Sequence, residues 1–280
     1  MNRKFILNAD DFGMSKAYNK AVLEGYNFGI LKSASLCANG EAFDEAVNEI
    51  IPQCQNLSVG VHLNIIEGES LTHVPSLTDE VGDFNNGYIS MIIKSFNENF
   101  MQEVETEFRA QIEKIQEKTK IDHIDSHVHT HAIPNIFKLT VKLAKEYGIP
   151  YIRTQFEKPY FVPNRQKHLN LKYPVNILKI ILLNSFTLVN KINLCNKGLR
   201  TNDYLIGVGY TGMMDEMTIE YGLRSLRGDD FVAEALIHPC DYNELVQDSH
   251  YTEFLITQSE DLKNKISEMD IELSNHSSVY

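Results

Sequence analysis

The stretch LSVGVHLNI, residues 57–65, decides how this chain is read. In an extended backbone Val59, Val61, Leu63 and Ile65 share one face, and Ser58, Gly60, His62 and Asn64 share the other. A parallel sheet covered by helices is usually apolar on both faces. Here polar groups gather toward the C-terminal end of one face. The same split recurs in IDHIDSHVH, residues 121–129, where His123, Asp125, His127 and His129 oppose Ile124, Ser126 and Val128. It recurs again in FVAEALIH, residues 231–238, where Val232, Glu234, Leu236 and His238 oppose Phe231, Ala233, Ala235 and Ile237. Polar strand ends collected on one side suggest a barrel mouth, where strand C-termini and the loops after them carry the site.

Working outward, four more strand-like runs appear: KFILNA (4–9), SASLCAN (33–39), YIRT (151–154) and YLIGV (204–208). Helical patterns separate them. One starts at Ser15, which can cap it, and stops at Gly29; others cover about 42–51 up to Pro52, 103–118, 134–147 and 217–226, and two weaker ones close the chain. Residues 66–96 read as a long loop, and 155–203 as a linker with an apolar helix. The alternation predicts an α/β fold of about seven parallel strands with helices outside, either doubly wound or closed as a barrel. No GxGxxG or GxxxxGK[ST] follows the first strand, which argues against nucleotide binding.

The chain has 280 residues, 43% of them apolar, enough for one large domain. Its net charge of −12 repels phosphate backbones, so no nucleic-acid partner is expected. Cys37, Cys54, Cys195 and Cys240 form no CxxC pair and read as reduced thiols of a cytoplasmic protein. The N-terminal apolar stretch stops at Asn8 and Asp10, too soon for a signal peptide. VNILKIILLNSFTLVN, residues 175–190, is interrupted by Lys179, Asn184 and Ser185 and is short for a bilayer span. It reads as a buried or interface helix that leaves room for a homodimer, with no membrane partner.

The chemistry concentrates in two stretches. DSHVHTH, residues 125–131, places His127, His129 and His131 at alternate positions, so an extended chain points all three the same way as nitrogen ligands for a divalent metal. FILNADDFGMS, residues 5–15, ends a strand on Asp10 and Asp11. Buried carboxylates are costly unless paired or metal-bound. Adjacent residues of a regular strand cannot both face one atom, so one acid as ligand and the other as proton acceptor requires an irregular strand end. His62 is a second nitrogen ligand, and His238, in LIHPC before a fixed turn, is a candidate general acid. Two histidines and a carboxylate leave metal positions open for water and substrate. No GxSxG or cysteine nucleophile motif is present. Phe84, Tyr88, Tyr160 and Phe161 are candidates to stack on a sugar ring or to anchor loops.

In order and spacing, NADDFGMS (8–15), GILKSASLCANG (29–40), VGVHLNIIEG (59–68), HIDSHVHTH (123–131), EYGIPYIR (146–153), GLRTND (198–203) and IHP (237–239) resemble the YdjC-like carbohydrate deacetylases. The resemblance implies one domain over 1–280 with a distorted TIM-like (β/α) barrel, as in polysaccharide deacetylases, and a variable helical insertion around 155–200. It implies hydrolysis of N-acetyl groups on chitooligosaccharides such as diacetylchitobiose. It also implies one divalent metal, Mg²⁺ as described for the family, while two nitrogen ligands suit Zn²⁺. By motif position Asp11, His62 and His127 take the metal, Asp10 is the base and His238 the acid. Asp125, His129 and His131 remain candidates to touch substrate or to support the ligands. The competing readings are hydrolysis of another small amide or ester, and a sugar-binding or isomerase barrel.

Overall fold

A computed structural model describes residues 2–163, 165–194, 197–241 and 249–279 of the protein; Cys195 lies outside them. Eight strands form one sheet: β1 Asn2–Phe12, β2 Ser33–Leu36, β3 Ser58–Leu63, β4 His123–Ser126, β5 Tyr151–Ile152, β6 Tyr204–Ile206, β7 Asp230–Ile237 and β8 Glu272–Ser274. The order is β5-β4-β3-β2-β1-β7-β6, and every pairing is parallel. Strand β8 was not legible as a strand. It pairs with β1 at Lys4–Ile6, below the stretch where β2 pairs from Asn8 onward, so one edge of β1 serves two partners.

The sheet curls into a distorted barrel. Its two ends, β5 and β6, meet through irregular backbone bonds: Ile152 N donates to Arg200 O at 2.9 Å, Arg200 N to Pro150 O at 2.9 Å, and Leu205 N to Phe156 O at 2.7 Å. Thr154 and Asn202 clip the same gap, with Thr154 N donating to Asn202 Oδ1 and Asn202 Nδ2 to Thr154 O. Inside the curl, Arg153 Nε lies 2.7 Å from Glu234 Oε1 on β7, and its Nη atoms reach Asp10 on β1 and Asp125 on β4. Only a closed arrangement lets a residue just after β5 touch β1 and β7. The alternation expected in 57–65 holds. Val59, Val61 and Leu63 join the apolar layer under the helices, and His62 faces the polar lumen with Asp125.

The outer helices follow apolar stripes. Phe100, Val104, Phe108, Ile112 and Ile115 line the buried side of the helix Glu98–Gln116. Each such side chain contributes about 1.5–3 kcal/mol by leaving water. This helix starts earlier than periodicity suggested because the Asn97 side chain accepts from Phe100 N and caps it. Ser15 sits at the start of the helix Lys16–Phe28 but makes no capping bond. Pro52 lies within a short 3₁₀ turn, Ile51–Gln53, that follows irregular helical turns from Phe43. A short helix, Tyr88–Lys94, occupies part of the expected 66–96 loop.

The apolar helix spans Lys172–Leu194, 23 residues, longer than the stretch read from sequence. By length and composition it is long enough to cross a bilayer, which corrects the expectation that it is too short. Its buried line is Asn176, Ile180, Leu183, Thr187 and Asn190. Asn190 Nδ2 donates to Ala132 O at 2.7 Å and Asn184 exchanges two bonds with the backbone of Glu157, so polar side chains fasten this helix to the barrel mouth. Val175, Leu178, Leu182, Val189 and Ile192 are exposed on its outer side.

Replacing Arg153 by Met removes the guanidinium that Asp10, Asp125 and Glu234 share in the lumen. The expected loss of stability in urea denaturation at neutral pH is about 3–5 kcal/mol. Arg109→Met, which breaks only partly exposed pairs with Glu105 and Glu146, is expected to lose at most about 1 kcal/mol. Equal losses for the two variants would contradict the role given to Arg153.

Candidate active site

The site begins where β1 turns irregular. The β1–β2 register shifts between Ala9 and Phe12, and Asp11 adopts φ 63°. A non-glycine residue held there costs roughly 1–3 kcal/mol. The shift meets the requirement for an irregular strand end, because both neighbouring carboxylates now lie within 4.8 Å of a ring nitrogen of His62. Gly13, at φ 87°, completes the turn; a Cβ there would lie 2.8 Å from Leu36 Cδ1. Asn19 Oδ1 accepts from Gly13 N at 2.9 Å and holds the loop in place.

The two acids have different partners. Asp10 is gripped by Arg153 through both oxygens, Nη1 to Oδ2 at 2.7 Å and Nη2 to Oδ1 at 2.8 Å, and Asn8 Nδ2 adds a bond to Oδ1. Burial alone would raise its pKa, but Arg153, joined by the His62 and His238 charges, outweighs burial and holds Asp10 well below the usual carboxylate range. Asp11 Oδ1 instead lies 2.9 Å from His127 Nδ1 and 3.3 Å from His62 Nε2. Burial pushes its pKa up, yet hydrogen bonds from the two imidazoles keep it well below the usual value.

Asp125 stands behind His62. Its Oδ1 is 2.8 Å from His62 Nδ1, while Oδ2 accepts from Ser35 Oγ at 2.6 Å and pairs with Arg153. Fixing one imidazole nitrogen with a carboxylate leaves the other aimed at Asp11, a common arrangement around metal-binding histidines. Burial depresses the His62 pKa, but Asp125, Asp11 and Asp10 outweigh it and raise the value to about 10.

The three histidines of DSHVHTH do not point one way, which corrects the alternation read from sequence. Strand β4 stops at Ser126, and Val128 and His129 adopt φ 51° and 58° in a kinked 3₁₀ segment. His127 turns to Asp11. His131 is buried, with Nδ1 against Ser126 Oγ and Nε2 3.0 Å from Arg153 O, so it locks the backbone that carries Arg153. Burial brings its pKa down to about 4. His129 is half-buried, its Nδ1 atom shielded from water and unpartnered, and desolvation, then the Arg153 charge, keep its pKa well below the usual histidine value.

His238 follows β7, and its side chain keeps a quarter of its surface exposed. Its backbone N donates to Glu253 Oε2, which also lies 3.2 Å from Nδ1. Burial lowers the His238 pKa, but the Glu253 bond and charge raise it to about 9, and its charge in turn acts on Asp10 and Asp11. Sequence reasoning missed Arg153, Glu234 and Glu253. A lone Arg in YIRT and a lone Glu in FVAEALIH were the available signals, since a charge inside an apolar strand needs a buried partner. Of the aromatic candidates, Phe84 and Tyr160 are core residues and Tyr88 donates to His129 O, whereas Phe161 is exposed.

The residues fit a divalent metal. Asp10, Asp11, Asp125 and Glu234 are all buried, and Asp11 lies against two imidazoles while Arg153 pairs with the other three. Ligand atoms of Asp11, His62 and His127 lie within 4.8 Å of one another, and so do those of Asp10, His62 and Asp125. The second set is spent, because Arg153 already occupies both of its carboxylates. The first set has two nitrogens and one oxygen free to converge.

A parallel α/β barrel with a carboxylate–histidine centre at its strand C-termini is the class that fold and site define. The chain belongs to the YdjC-like protein family, whose model matches residues 4–268. It is 40% identical over 149 residues to a carbohydrate deacetylase of Brevibacillus brevis, an alignment covering 52% of this chain and 58% of that protein. It is 37% identical over 161 residues to a carbohydrate deacetylase of Clostridium beijerinckii, covering 56% and 63%. The matched region thus spans about three-fifths of these relatives. A solved Enterococcus faecalis protein, provisionally described as a cellobiose-phosphate cleavage protein, shares the fold at a TM-score of 0.74 and 24% identity, covering 100% of this chain and 99% of that one.

Without metal, His62 is protonated at neutral pH, since its pKa is raised to about 10. That proton stabilises the metal-free fold fully below about pH 6.5, and the gain is lost as pH rises through 10. A divalent metal taking His62 Nε2 at pH 7 would therefore expel about one proton. Calorimetric titration in buffers of different ionisation enthalpy should show that release; a heat independent of buffer would contradict it.

Proposed function

We propose that the protein is a metal-dependent carbohydrate deacetylase that hydrolyses the N-acetyl group of N-acetylglucosamine units in chitooligosaccharides such as diacetylchitobiose. The observation that carries this reading is the division between adjacent acids: Asp11 stands with His62 and His127, and Asp10 with Arg153. Support also comes from the relatives named carbohydrate deacetylase.

In the proposed mechanism Asp11, His62 and His127 hold the metal. When bound, Mg²⁺ or Zn²⁺ supplies a water of lowered pKa and a Lewis acid for the amide carbonyl; two nitrogen donors favour Zn²⁺. Asp10 takes the proton of the attacking water. Arg153 keeps Asp10 ionised and fixes its plane, and Oδ2, which accepts one guanidinium bond, retains acceptor capacity for a proton. His238, protonated at pH 7 and oriented by Glu253, delivers a proton to the leaving amine, so acetate and a free amino sugar result. The variable stretch 155–200, whose helix Lys172–Leu194 is fastened to the barrel through Asn184 and Asn190, is proposed to select the sugar. We place the protein in the cytoplasm, in keeping with the buried thiols of Cys37 and Cys54. The exposed 175–192 stripe, spaced by three, four and seven residues, fits pairing with a second copy of the chain.

Acetate release from diacetylchitobiose should vanish with chelator and return on metal add-back. Asp10→Asn should still bind metal while losing about 10²–10⁴-fold in kcat; full activity in that variant would refute the base assignment. Acetate from simple amides but not from sugars would favour the broader amide or ester reading, and a rearranged sugar without acetate would favour an isomerase. In the pH profile, activity should fall as pH rises past the His238 value of about 9. Glu253→Gln should move that limb toward the ordinary histidine range near about 6.5; an unmoved limb would remove His238 as the acid.

A further inference from the structure

A histidine can give a metal one nitrogen only if its proton sits on the other, where an acceptor must hold it. For His62 the outward atom is Nδ1, and Asp125 accepts there. For His127 the inward atom is Nδ1, beside Asp11, so the outward atom is Nε2. That nitrogen lies 3.2 Å from Glu67 Oε2 on the loop after β3.

An exposed carboxylate is ordinarily a weak partner, and the Glu67 side chain is 63% exposed. Its backbone, however, is caged. Ile66 N and Glu67 N both donate to Asn64 Oδ1, at 3.0 and 3.1 Å. Glu67 O accepts from Asn64 Nδ2 at 2.8 Å and from Asn39 Nδ2 at 3.1 Å. Asn64 is itself fixed by Gln111, which accepts from Asn64 N at 2.9 Å and donates to Asn64 O at 2.6 Å. Gly68, at φ 78°, turns the chain away immediately after. Six hydrogen bonds and a turn thus aim one exposed side chain at the outward nitrogen of His127.

We propose that Glu67 is a positioning residue of the metal centre: it holds the proton on His127 Nε2 and so presents Nδ1 to a divalent cation, as Asp125 does for His62. The proposal rests on the reading of Asp11, His62 and His127 as the metal-holding set. Glu67 touches neither the reacting atoms nor the barrel core, so its loss should weaken the metal and leave the fold intact.

The test is calorimetric titration of chelator-stripped protein with Zn²⁺ and, separately, Mg²⁺, on the wild type, Glu67→Ala, Glu67→Gln and Glu69→Ala, a nearby exposed acid. Glu67→Ala should bind about 10- to 100-fold more weakly. Glu67→Gln, which keeps a neutral acceptor, should fall between it and the wild type, and Glu69→Ala should match the wild type. Metal-free melting temperatures should be the same for all four. Glu67→Ala binding within about two-fold of the wild type, or an equal loss in Glu69→Ala, would overturn the role of Glu67 alone. Absence of metal binding in the wild type would overturn the underlying metal set and this inference with it.

Discussion

One buried guanidinium organises this protein. Arg153 emerges just after β5 into the lumen and meets Asp10 of β1, Asp125 of β4 and Glu234 of β7 at 2.7–2.8 Å. Burying those charges carries a desolvation cost of several kcal/mol per ion, which only dense pairing offsets. The pairing is therefore structural as well as chemical, because it pulls the two ends of an open ladder together. It also settles the electrostatics of the strand end. By taking both oxygens of Asp10, Arg153 leaves Asp11 as the carboxylate without a guanidinium, and two imidazoles converge on it.

The second constraint is local backbone irregularity. A regular β1 would turn Asp11 away from Asp10, and a regular β4 would point His127 and His129 together. The chain departs from regularity at both points, with positive φ at Asp11, Val128 and His129. Non-glycine residues persist in that region only when their surroundings over-determine them. Here those surroundings are the Asp11–His127 contact, the Gly13 turn and the buried His131 lock. Strain at the mouth and charge pairing in the lumen serve one geometry: two neighbouring carboxylates in one cavity with different partners.

Much of this was legible before any coordinates. The alternation in 57–65 and 231–238 separated lumen from outer layer, and NADDFG with GVHLN marked the strand ends that carry chemistry. What escaped the sequence has a physical reason in each case. Strand β8 is three residues long and owes its place to the lower part of β1 being left open by β2, a tertiary circumstance without a local pattern. The direction of the DSHVHTH histidines failed because period-2 reasoning assumes an extended chain, and the chain kinks at Val128. Arg153 meets Asp10 and Glu234 across 143 and 81 residues and Glu253 meets His238 across 15, so no short-range spacing announced them.

Anomalous X-ray scattering at the absorption edge of a bound transition metal, collected on metal-loaded crystals, tests the arrangement most directly. A single strong peak in contact with Asp11, His62 Nε2 and His127 Nδ1, with Asp10 still held by Arg153, is the predicted result. A peak coordinated by Asp10 and Asp125, or no peak in the lumen, would contradict the separation of roles between the two neighbouring acids.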